Sequence, residues 1–146
     1  MSILSGVNLR RAQYNRDAIL TANPASLLTM LYDRLLLDLN RAETAQEIED
    51  WQTSAENLLH AQEIVAELTS SLDRDKWDGA DGLLGVYNFA ARALIYANTH
   101  RDIASTRLCI TLLEPLRQSW HEAAAALPVA IPSTSERTPV GVLGVG

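Results

Sequence analysis

Cysteine is almost absent: the 146 residues contain one, Cys109. A single thiol closes no internal disulfide, so the chain is not a disulfide-stapled scaffold and fits a reducing compartment. Long apolar runs are missing too. No stretch approaches the roughly 18–20 residues that span a bilayer, and the opening MSILSGV is too short for the core of a signal peptide. These absences predict a cytoplasmic protein with no membrane partner. Positive charge is scarce as well, with 12 Lys and Arg against 18 Asp and Glu, a formal net charge of -6. Nucleic-acid binding needs a concentrated positive stripe to displace counterions from phosphates, and Arg10, Arg11 and Arg16 make only a short basic patch. The sequence therefore predicts no nucleic-acid partner.

Aromatic residues are few, at 5%, while hydrophobic residues reach 47%, with alanine and leucine prominent. That balance suits one helical domain with a sizeable core. The prolines (Pro24, Pro115, Pro128, Pro132, Pro139) fall at an expected helix edge, late in a helix or in the last segment. Asn23 and Pro24 form a start signal, because asparagine caps the first orphan amides and proline at the first helical position needs no donor. The pattern predicts a helix from about Pro24 to Ala42, ended by a polar interval at Glu43–Glu47. A second helix begins near Glu49 and ends near Asp73, with Trp51, Ala55, Leu58, Ala61, Val65, Leu68 and Leu72 at spacings of three and four. DRDKWDGADG breaks the pattern and reads as the middle loop. A third helix carries Leu84, Tyr87, Ala91, Leu94 and Asn98, with a second row of Leu83, Val86, Ala90 and Ala97. A fourth carries Cys109, Leu113, Leu116, Trp120, Ala123 and Leu127, with Pro115 inside it. Short loops make neighbours antiparallel, so the predicted fold is an all-α, up-and-down four-helix bundle over 23–127. Residues 1–22 form a short helical lead-in and 128–146 a flexible tail.

The first long helix has more apolar surface than one neighbour can cover. Leu28, Leu31, Tyr32, Leu35, Leu36 and Leu39 fill an arc of about 140°, while Leu27, Met30 and Leu37 lie on another flank. Two readings fit together: a central helix covered by several partners within the bundle, and a groove for a partner's amphipathic helix.

Catalytic and metal-binding patterns do not assemble. A di-iron bundle needs Glu-x-x-His pairs, but three residues before His60, His100 and His121 stand Asn57, Ala97 and Gln118. The calcium-loop spacing that Asp73 and Asp75 begin fails at Trp77, at Gly79 and at Leu84, where the bidentate glutamate belongs. The neighbours of His60 do not suit a phosphorelay, and Cys109 has no histidine at a suggestive spacing. No cofactor, metal or catalytic residue is expected.

Read whole, YNRDAILTANPASLLTMLYD (Tyr14 to Asp33) resembles the signature of the flagellar secretion chaperones, the family that holds flagellin before export. ELTSSLDRDK, VYNFAARALIYANTHRD and LLEPLRQSW agree with that family in order and spacing, so the resemblance runs over about residues 10 to 122. The chain departs from it at Trp77 and Asp78, where two glycines are common, and at Asn88, Phe89 and Ala93 of the third helix. The resemblance implies a non-catalytic cytoplasmic chaperone whose partners are the disordered C-terminal segment of flagellin and a component of the flagellar export gate, working as a monomer or weak homodimer. It also implies a lead-in that covers part of the groove until the client displaces it, here Tyr14, Ile19 and Leu20, with fixed packing on the first long helix as the alternative. The client contacts it suggests are Leu27, Leu28, Leu31, Tyr32, Leu68, Leu72, Tyr87 and Leu94. The competing reading is a helical adaptor or dimerisation bundle.

Overall fold

The computed structural model describes residues 24–73, 75 and 78–126, which form four helices: α1 (Pro24–Glu47), α2 (Trp51–Ser70), α3 (Ala80–Thr99) and α4 (Ile103–Ala126). The expected lead-in, the Asn23 cap and the tail lie outside the described residues. Each helix packs on its sequence neighbours and α4 closes back on α1, so α1 faces α3, and α2 faces α4, across the diagonals. This is the antiparallel four-helix bundle that the periodicity calls for.

α1 runs five residues beyond the expected end at Ala42. The interval Glu43–Glu47 is polar, but Ala42, Ala45 and Gln46 keep the buried face going at helical spacing. Its acids are held from α4, where Arg107 donates from Nε to Glu43 at 2.7 Å and from Nη2 to Glu47 at 2.9 Å. No sequence window shows a partner some sixty residues away.

Two turns form without glycine. Glu49 (φ 59) and Arg101 (φ 51) adopt the left-handed conformation just after α1 and α3. The next amide in each case bonds back into the helix, Asp50 N–H to the Ala45 carbonyl at 2.8 Å and Asp102 N–H to the Ala97 carbonyl at 3.0 Å. These six-to-one bonds satisfy orphan carbonyls as a Schellman motif does and reverse the chain within three residues. Asp50 then caps α2 by accepting the Thr53 amide at 3.2 Å. The Arg101 guanidinium lies 5.0 Å from the Trp51 ring, which ties the α3–α4 turn to the start of α2.

The core joins Leu35, Leu36 and Leu39 of α1, Leu58, Val65 and Leu68 of α2, Tyr87 and Leu94 of α3, and Cys109 and Leu113 of α4. On α3 the buried face is Ala80, Leu83, Tyr87, Ala90, Leu94 and Ala97. It takes two residues from the expected main row and three from the second, while Leu84, Ala91 and Asn98 are half-exposed. Small residues at Ala90 and Ala97 let α3 settle against its neighbours on this face. Ala123 of α4 is exposed, and Leu116 and Trp120 only partly buried.

Candidate partner-binding surface

The described residues bring together no group of three or more histidine, cysteine, aspartate or glutamate side chains that could hold a metal. No described helix is long and apolar enough to cross a membrane. Burial pushes the Cys109 thiol up to about 11, and its Sγ sits 3.9 Å from the Ala90 carbonyl. It is a protonated core group near neutrality, not a nucleophile.

His60 joins α2 to α1. Its Nδ1 meets Oδ2 of Asp38, whose carboxylate is wholly buried and also accepts from Arg34 Nε at 3.1 Å. Two partners offset the desolvation of that acid, and the tie fixes α1 against α2. On the other side of α1, Asp33 accepts from Arg117 at 2.9 Å and His121 at 2.7 Å, while Arg117 forks onto Glu114. Burial works against ionising Asp33, but the hydrogen bonds from His121 and Arg117 outweigh it and hold its carboxyl below the usual range. Hydrogen bonding from Arg117 does the same for Glu114, against burial. These polar groups hold helices together and face no pocket suited to a substrate.

Among the described residues, shallow concavities occur at both ends of the bundle. One of about 720 Å³ is lined by Ser70, Ser71, Leu72, Asp73, Asp75 and Asp81 at the α2–α3 end. The other, about 370 Å³, lies between the end of α1 and the start of α2, with Ala45, Ile48, Arg41 and Asn57 among its lining. Neither gathers convergent catalytic groups.

The expected contact residues divide by burial. Tyr32, Leu68, Tyr87 and Leu94 are spent on the core, at 1% exposure or less. Leu27, Leu28, Leu31 and Leu72 are half-exposed, with Leu28, Leu31 and Leu72 packed against the rim of the core. In this conformation the second group is accessible at the surface and the first is not. Tyr14, Ile19 and Leu20 fall outside the described residues.

The outer face of α3 was not singled out by the sequence. Phe89, Ile95 and Tyr96 are 41%, 50% and 49% exposed there, large apolar side chains on a helix whose core face is already filled. On α4, Leu108 is also about half-exposed. Tyr96 also stacks on His100 with ring centroids 4.0 Å apart. Exposed large apolar side chains gathered on one helix with few charges are the kind of surface that protein partners use. The clue in the sequence was composition: from Gly82 to Thr99, α3 carries one charged residue.

Comparison with known proteins points the same way. The family model described as flagellar protein FliS matches residues 7–127. The flagellar secretion chaperone FliS of Bacillus subtilis (strain 168) is 30% identical over 110 residues, which covers 75% of this chain and 82% of the relative. Its counterpart of the same name in Escherichia coli (strain K12) is 28% identical over 109 residues, 73% of this chain and 80% of that one. A crystal structure of a bacterial flagellar chaperone superposes with a TM-score of 0.65, covering 80% of this chain and 96% of the other at 21% identity, a likeness of fold. With its four-helix architecture, its outward apolar face and a family match over most of its length, the chain belongs to the FliS family of flagellar secretion chaperones.

Proposed function

We propose that this chain binds the disordered C-terminal segment of flagellin in the cytoplasm, prevents its premature polymerisation and keeps it competent for export through the flagellar type III system. The observation that carries this reading is the exposed apolar face of α3, Phe89, Ile95 and Tyr96. The half-exposed Leu27, Leu28, Leu31 and Leu72 extend the contact at the other end of the bundle. A segment that is amphipathic only once it folds has nowhere to bury its apolar stripe while alone. Laid along a bundle with apolar surface to spare, it gains that burial and loses its capacity to pair with other copies. Tyr32, Leu68, Tyr87 and Leu94 support the surface from within, and Tyr14, Ile19 and Leu20 supply the displaceable cover. No catalytic step is involved. The ordering of the segment offsets part of the binding free energy, which keeps affinity moderate and permits handover to a component of the export gate.

The test is co-elution with full-length flagellin together with seeded polymerisation followed by light scattering. The reading predicts a complex that is lost when the C-terminal segment is removed, and suppression of polymerisation at equimolar chaperone. An unchanged polymerisation rate at equimolar, micromolar concentrations contradicts it.

A further inference from the structure

From Gly82 to Thr99 the exposed face of α3 contains one charge, Arg92, and exposed large hydrophobics adjoin it on both sides. Arg92 has Phe89 three residues before it, Ile95 three after and Tyr96 four after, the spacings at which side chains on a helix adjoin. All three neighbours are exposed large hydrophobics. Arg34, Arg107 and Arg117 are each bound to carboxylates and Arg101 lies over Trp51, whereas Arg92 has no ion pair among the described residues. Arg41 also lacks one, but Leu37 alone among its neighbours at those spacings is a large exposed hydrophobic.

A partner that covers Phe89, Ile95 and Tyr96 takes the Arg92 guanidinium out of water. A charge buried without a counter-charge is disfavoured strongly enough to cancel the gain from the apolar contacts around it. A partner that places a carboxylate there converts that cost into a forked, charge-assisted pair. One that places a lysine or arginine there is rejected. The rest of the chain does not help an acidic partner, since its net charge is -6, so the selection is local to this point.

We propose that Arg92 sets the register of the bound segment by pairing with one aspartate or glutamate that lies between that segment's apolar anchors. This rests on the flagellin-binding reading above and specifies the chemistry of the bound helix. Arg92 is a specificity residue: it chooses which stretch of an amphipathic chain seats on α3.

The experiment is a charge-swap cycle on the full chain, with the flagellin C-terminal segment as the probe. Affinities are measured for the native protein, Arg92→Met and Arg92→Glu, and for a panel of segments in which each acidic residue in turn is changed to lysine. Arg92→Glu is expected to weaken binding by on the order of 30-fold or more, Arg92→Met by less, both with unchanged melting temperature. One lysine segment is expected to restore the affinity of Arg92→Glu. If both variants bind as the native protein does, or if binding is lost and no segment restores it, the register role is overturned while flagellin binding stands. If the native protein does not bind the segment at all, the functional reading fails and this inference fails with it.

Discussion

The hydroxyls of Tyr32 on α1 and Tyr87 on α3 meet at 2.7 Å across the diagonal of the bundle. Both residues are buried, and burial raises the pKa of each hydroxyl, so the bond stays a neutral one under physiological conditions. Trp120 packs against Tyr32 with ring centroids 6.5 Å apart, which brings α4 into the same contact. One interaction thus sets the spacing of two helices that are not neighbours in the ring.

A double-mutant cycle measures that bond. Tyr87→Phe and Tyr32→Phe each leave a buried hydroxyl short of its partner and should each cost about 1–2 kcal/mol in urea unfolding. The double variant removes both polar groups and should cost less than the sum, with a coupling of about 1 kcal/mol. Additive losses would show that the two hydroxyls do not support each other.

Adjacent residues on α3 should separate stability from binding. Leu94 is fully buried and Ile95 half-exposed. Leu94→Ala should destabilise the bundle by about 2–5 kcal/mol through cavity formation. Ile95→Ala should stay within about 0.5 kcal/mol of the native stability yet weaken the flagellin segment by roughly five- to tenfold. Thermal melts and titrations on the same preparations check both halves.

Acid should loosen the α1–α4 interface. Asp33 and Glu114 have carboxyl pKa values below their ordinary 3.8 and 4.5 in the folded chain. A carboxylate depressed on folding contributes stability that is present above its unfolded pKa and lost as pH falls through the folded one. Stability should therefore decline as pH drops below about 4.5, and Asp33→Asn should flatten the decline. An identical acid profile for that variant would remove Asp33 from the account.

The left-handed turn at Glu49 is open to improvement. A side chain at φ 59 carries a strain that glycine lacks. Glu49→Gly should raise stability by roughly 0.5–1 kcal/mol in chemical unfolding, because relief of strain exceeds the extra chain entropy.

The helices were legible because their apolar residues repeat every three to four positions, and Leu58, Ala61, Val65 and Leu68 are buried as that repeat requires. What local sequence could not show was set by distant partners or by backbone conformation. Arg107 holds the end of α1 from another helix, and nothing local to Asp38 marks it as a buried acid that His60 of α2 meets. Glu49 and Arg101 turn the chain in a conformation that neither residue advertises. The rotational setting of α3 was the hardest to read. It is apolar on nearly every side, so periodicity alone does not decide which row enters the core and which stays exposed. The structure settles that by filling the core with Leu83, Tyr87, Ala90 and Leu94 and leaving Phe89, Ile95 and Tyr96 outside.

The central claim is that this bundle recognises a disordered, amphipathic flagellin segment by burying it on apolar surface left over from its own core. Calorimetric titration of the purified chain with the C-terminal segment of flagellin at several temperatures tests it most directly. The account predicts a one-to-one complex with a strongly negative heat-capacity change, the mark of apolar burial with coupled folding. No heat and no shift in elution at micromolar concentrations would contradict it.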